Sequence, residues 1–123
     1  MTTILVVDDS ATMRRMIMAS LRNLQGAQFN EAGTGLEAIE RMALAPIHLM
    51  TLDLNMPDLH GLDVLKFVRG HESYRSLPII VLTTRGDEDS RKAALAAGAT
   101  FYLTKPFNPN ELLSQVRALL AQE

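Results

Sequence analysis

The chain has 123 residues, 47% hydrophobic and 21% charged, a composition that fits one globular domain able to bury its own core. Twelve basic against 14 acidic residues leave a net charge of -2, and with four Phe, two Tyr and no Trp there is neither a basic surplus nor a stacking platform for nucleic acid. The lack of cysteine excludes disulfides, thiolate metal sites and thiol catalysis, and no apolar run reads as a membrane span or signal peptide, so a cytoplasmic protein is expected.

TILVVD (Thr3–Asp8) has no polar alternation and predicts a strand buried on both faces. From Ala11 to Leu24, Met13, Ile17, Leu21 and Leu24 recur at helical spacing behind Ser10 as N-cap. Gly26 marks a turn, and QFNEA is a weaker strand. Gly35 to Leu44 predicts a helix with Leu36, Ile39 and Ala43 facing inward, stopped by Pro46. IHLMTLD is the third strand, followed by a loop with Pro57 and Gly61 and a helix over Leu62 to Arg69. After Pro78 comes IIVLT, a fourth continuous apolar strand. Ser90 to Ala97 is an Ala-rich helix with Gly98 at C′, and TFYLT is the fifth strand. The last helix opens on Asn108 as N-cap, Pro109 at N1 and Glu111 at N3, and its inner stripe is Leu112, Val116, Leu119 and Leu120.

Strand and helix alternate five times, which predicts a doubly wound α/β domain: a parallel sheet with helices on both faces. Ligands of such sheets bind beyond the carboxyl ends of the strands. The residues there are Asp8 and Asp9, Asp53, Thr83, and Lys105 just past the fifth strand. Any one of these acids alone is ordinarily a turn or cap residue. Together they put three carboxylates, a hydroxyl and an amine at one edge. Consecutive strand residues face opposite ways, so Asp8 and Asp9 can share a site only because the strand ends there.

Gathered acids repel one another unless a cation intervenes, and oxygen ligands with few carboxylates suit Mg²⁺. Phosphoryl transfer needs charge neutralisation and positioning above all, which Mg²⁺, Lys105 and Thr83 could supply. A carboxylate can itself accept the phosphoryl group, and Asp53, ending a central strand, is the candidate.

The stretches ILVVDDSATMRR, LDLNMPDLHGLDVL, PIIVLTT and AGATFYLTKPF, in this order and spacing, closely resemble the receiver domains of bacterial two-component response regulators. The resemblance covers essentially the whole chain, 1–123, as one receiver domain without an output domain. DDSATMRR points to the single-domain, CheY-like chemotaxis regulators. The resemblance implies the flavodoxin-like three-layer α/β/α arrangement with strand order 2-1-3-4-5. It also implies a role for each site residue. Asp53 would take a phosphoryl group from a phosphohistidine of a sensor histidine kinase. Asp9, Asp53 and the backbone carbonyl of Asn55 would ligate Mg²⁺ directly, with Asp8 reached through water. Thr83 would be the switch hydroxyl, Lys105 the phosphate-pairing amine, and Tyr102 an aromatic switch that is buried when active. The Lys105-Pro106 bond would be cis. The output would be an altered surface of helix four, strand five and helix five, read by a partner protein; the chain would be a signalling switch and not an enzyme.

Arg85 stands two residues after Thr83 where chemotaxis regulators carry an acid, and Thr84 is bulkier than their usual Ala, so the dephosphorylation rate does not follow from the resemblance. Asp87, Glu88 and Asp89 make the start of helix four acidic, which suits the helix dipole. His48, His60 and His71 have no metal-ligand spacing and are expected to be structural or on the surface; Arg14-Arg15 are expected on a solvated helix face, with a place near the acidic pocket as the alternative. Three alternatives stand beside the switch: a phosphorelay intermediate passing phosphate to a histidine phosphotransfer protein, an aspartyl-phosphate phosphatase of haloacid dehalogenase type, and a flavodoxin-type carrier. The phosphatase would need a second Asp where this chain has Asn55, and the flavin carrier a Ser/Thr/Gly-rich first turn.

Overall fold

The computed structural model describes residues 2–121, so the outermost residues of the expected 1–123 domain lie outside the description. Strands β1 (Thr2–Val7), β2 (Ala27–Ala32), β3 (Leu49–Leu52), β4 (Ile79–Thr83) and β5 (Phe101–Thr104) form one parallel sheet in the order β2-β1-β3-β4-β5. Helices α1 (Ala11–Ser20), α2 (Gly35–Leu44), α3 (Gly61–Gly70), α4 (Glu88–Ala96) and α5 (Pro109–Leu120) come after the strands in turn, with a short 3-10 turn at Glu72–Tyr74. The expected doubly wound α/β fold and its strand order are both observed.

Alternation along the buried strands sorts side chains into two cores. Leu5, Val7, Met50, Leu52, Ile79 and Val81 meet α2, α3 and α4 through Ala38, Met42, Val64, Leu65, Val68 and Ala94. Ile4, Val6, Leu49, Ile80, Leu82 and Leu103 meet α1 and α5 through Ile17, Leu112 and Val116, with Leu21 just past the end of α1. With both faces covered, β1, β3 and β4 carry no polar stripe, which is why they read as continuous apolar runs.

The α1 helix ends at Ser20, four residues short of the expected Leu24. Beyond it the chain tightens into turns in which Arg22 N–H bonds Ala19 and Leu24 N–H bonds Leu21, so Leu21 and Leu24 still face the core outside the helix. The inward stripe of α2 is also corrected. Gly35, Ala38 and Met42 are buried, while Leu36 is 58% exposed and Ala43 is exposed. Both triads have helical spacing and lie one residue apart. The stripe of smaller residues faces in because it lets α2 approach the sheet and α3, with Gly35 against Leu59 and Val64. Asn108 caps α5 as expected, accepting from the N–H groups of Asn110 and Glu111, with Pro109 in the first turn. Gly98, at φ +112, ends the α4 segment in a conformation that disfavours a side chain.

Candidate functional site

The carboxyl ends of β1, β3, β4 and β5 meet in one hollow. Asp8 follows β1 and is 1% exposed, Asp53 follows β3 and is 5% exposed, and Thr83 closes β4 with no exposure. Lys105 reaches in from the end of β5, its backbone N–H bonded to the Thr83 carbonyl at 2.7 Å. Its Nζ lies 2.6 Å from Asp8 Oδ2 and 3.3 Å from Asp53 Oδ2, so one ammonium serves two buried carboxylates. Asp8 Oδ1 accepts from Ser10 N–H at 2.9 Å, and Asp53 Oδ1 from Asn55 N–H at 3.2 Å. Asp9 is exposed at the rim, yet one oxygen from each of Asp8, Asp9 and Asp53 lies within 4.8 Å of the others.

Burial pushes the Asp53 carboxyl above its ordinary carboxylate value, and the Asp8 charge adds to this; Asn55 N–H and Lys105 pull the other way. The hollow thus holds more negative charge than Lys105 neutralises. Three carboxylate oxygens so close together, with no nitrogen or sulfur donor, can coordinate a hard cation. Asp53 also presents a nucleophilic oxygen beside the Lys105 cation.

The β3–α3 loop is held from two sides. Gly61 N–H bonds the Leu54 carbonyl at 3.0 Å, and a Cβ on Gly61 would lie 2.6 Å from both the Asp53 carbonyl and Leu54 Cα. Only a residue without a side chain lets α3 start this close to the loop. Asp58 bonds the N–H groups of Gly35 and Leu36 at 3.0 Å each, tying the same loop to the first turn of α2. No sequence signal joins Asp58 to Gly35; 23 residues separate them.

Tyr102 is half-buried on β5, and its hydroxyl donates to the Arg85 carbonyl. Arg85 N–H in turn donates to Thr83 Oγ1 at 3.4 Å, so one residue joins the two candidate switch side chains. The Arg85 guanidinium turns outward to Ser90 at 3.1 Å within the α4 cap, where Asp87 accepts from Ser90 N–H. Thr84 is exposed. Lys105-Pro106 is cis, as expected. The histidines have backbone partners: His48 Nδ1 accepts from Thr3 N–H, and His60 and His71 cap α3 and the 3-10 turn.

The profile of the response regulator receiver domain matches residues 4–117, reaching every strand and including the candidate residues. The chain belongs to the response regulator receiver domain family. The chemotaxis protein CheY1 of Helicobacter pylori is 41% identical over 118 residues, covering 95% of each chain. The transcriptional regulatory protein KdpE of Mycobacterium tuberculosis is 40% identical, but there the match covers 50% of the longer relative. Among solved structures, a putative response regulator from Chloroflexus aurantiacus superposes with a TM-score of 0.91 at 36% identity, covering 98% of both chains. This receiver domain is a phosphorylation-dependent signalling module of two-component systems and not an enzyme, and its Asp8, Asp9 and Asp53 cluster can hold a metal. The dehalogenase-type and flavodoxin-type readings fall away with the family match. Among the described residues, no helix is long and apolar enough to cross a membrane.

Proposed function

We propose that Asp53 is the phosphoacceptor of a Mg²⁺-dependent switch and takes its phosphoryl group from a phosphohistidine on a sensor histidine kinase. The observation that carries this reading is the convergence of Asp53, Asp8 and Asp9 within 4.8 Å, with Lys105 shared between Asp8 and Asp53. An Asp53 oxygen attacks phosphorus, the P–N bond breaks, and the imidazole leaves with the bonding electron pair and takes up a proton. Asp9, Asp53 and the Asn55 carbonyl would hold the Mg²⁺ directly, with Asp8 reached through water. When bound, the ion supplies positive charge to the phosphoryl oxygens. Lys105 shifts its pairing from Asp53 toward a phosphoryl oxygen.

Thr83 then donates its hydroxyl to another phosphoryl oxygen. That movement disturbs the bond from Arg85 N–H, and Arg85 also carries the carbonyl that holds Tyr102. The change at Asp53 therefore reaches the surface of α4, β5 and α5, where a downstream partner reads it. Chemotaxis is the pathway we assign, supported by relatives named as chemotaxis proteins that this chain matches over nearly their whole length.

With Mg²⁺ and acetyl phosphate, the purified protein gains one phosphoryl group, read by intact mass spectrometry. The same gain in Asp53→Asn would overturn the assignment.

A further inference from the structure

Arg14 sits in the first turn of α1, where the sequence pattern favours a solvated face over a place near the acidic pocket. Its side chain is instead mostly covered, at 18% exposure, and folds back over the end of β1. Nη1 donates to the Asp8 carbonyl at 2.6 Å, and Nε donates to Glu31 Oε1 on β2 at 2.9 Å. The Asp8 N–H already bonds Ala32 at 3.0 Å, so Arg14 adds a second tie between the ends of the two strands.

The Asp8 carbonyl belongs to the peptide that leads into Asp9. Because that unit is planar, holding its oxygen orients the plane from which the Asp9 side chain departs. The Asp8 carboxylate has anchors of its own in Ser10 N–H and Lys105. Asp9 has no such anchor: among the described residues no hydrogen bond or ion pair reaches its carboxylate. The backbone alone aims it, and Arg14 holds that backbone.

We propose that Arg14 is a positioning residue for the cation site, fixing the Asp8–Asp9 peptide so that the Asp9 carboxylate is directed at the ion. The proposal rests on the reading of Asp8, Asp9 and Asp53 as a Mg²⁺ site. Charge and positioning act in opposite directions here. As a cation near an acidic hollow, Arg14 repels Mg²⁺, so its removal on charge grounds alone tightens binding. As a positioning residue, its removal weakens binding.

The test is calorimetric titration with MgCl₂ alone of the unphosphorylated protein, beside Arg14→Met, Arg14→Lys and Asp9→Ala, with the metal-free melting temperature of each. Loss of a group that orients a metal ligand typically weakens affinity about tenfold, the change expected for Arg14→Met. Arg14→Lys keeps the charge but cannot reach Asp8 and Glu31 with two separate nitrogens, so it binds Mg²⁺ more weakly than wild type. Arg14→Met binding Mg²⁺ as tightly as wild type, or more tightly, overturns the proposal, even if its metal-free melting temperature drops. If Arg14→Met does not fold, Arg14→Lys decides: affinity equal to wild type overturns the proposal. Wild type showing no Mg²⁺ binding that Asp9→Ala abolishes would overturn the metal reading itself, a different failure.

Discussion

Replacing Asp53 by Asn is expected to stabilise the metal-free protein. Asn has nearly the same volume and can still accept from Asn55 N–H, the bond that Asp53 makes at 3.2 Å. The substitution gives up the 3.3 Å pairing with Lys105, but Lys105 keeps its shorter 2.6 Å bond to Asp8. What it removes is a carboxylate that is 5% exposed and lies beside a second buried acid. Burying an ion costs several kcal/mol after relaxation, and a charged hydrogen bond returns about 1.5–3 kcal/mol. With Lys105 shared, the net gain from neutralising Asp53 is about 1–2 kcal/mol, or about 4–8 °C in Tm for a chain of this length.

The pH dependence has a definite sign. The Asp53 carboxyl is raised in the folded state, so the fold binds its proton more tightly than the unfolded chain does. Its contribution is most favourable below the unfolded carboxylate value, about 3.9, and is lost as pH rises through the higher folded value. The advantage of Asp53→Asn is therefore largest at the alkaline end of the range, shrinks as pH falls through the folded value and disappears below the unfolded one. Circular dichroism melts in EDTA from pH 4 to 8 measure it, and the difference between variants cancels the acids remote from the hollow. Millimolar Mg²⁺ narrows the gap by stabilising wild type more. Asp53→Asn melting at or below wild type in EDTA at pH 7 would refute the account of an overcharged hollow.

Two further substitutions test packing around the site. Thr51 on β3 is fully buried between Val6 and Ile80, and its Oγ1 has no hydrogen-bond partner among the described residues. Thr51→Val should raise stability by about 1–2 kcal/mol in urea unfolding, the cost of an unpaired buried hydroxyl; a loss would mean that the hydroxyl has a partner. Gly61→Ala places a Cβ 2.6 Å from two backbone atoms of the β3–α3 loop. It should cost roughly 2 kcal/mol or more and slow phosphorylation by acetyl phosphate, whereas an unchanged melt would show that α3 can shift freely.

Much of this molecule is legible from residue order. Continuous apolar strands exist because both sheet faces are covered, and the residues ending them are displayed together for the same reason. Asn108 and Gly98 mark helix ends because capping is local chemistry, involving residues within a turn of each other. The inner stripe of α2 was not legible, since Leu36-Ile39-Ala43 and Gly35-Ala38-Met42 have the same spacing, and only packing against β1, β2 and α3 chooses between them. The end of α1 escaped for a related reason, because tightening turns keep Leu21 and Leu24 inward as a helix would.

The candidate site divides along the same line. Strand order and strand ends determine that Asp8, Asp9, Asp53, Thr83 and Lys105 share an edge, and these come from local pattern and family resemblance. Tertiary structure alone decided that Lys105 is shared between Asp8 and Asp53, that Asp58 ties the β3–α3 loop to α2, and that Arg14 turns back onto the Asp8 carbonyl. Each of these is a long side chain or loop meeting a partner that the chain brings near only once the sheet has closed. Hydropathy and spacing describe a residue's own element; they do not specify which distant backbone group a guanidinium or carboxylate will find.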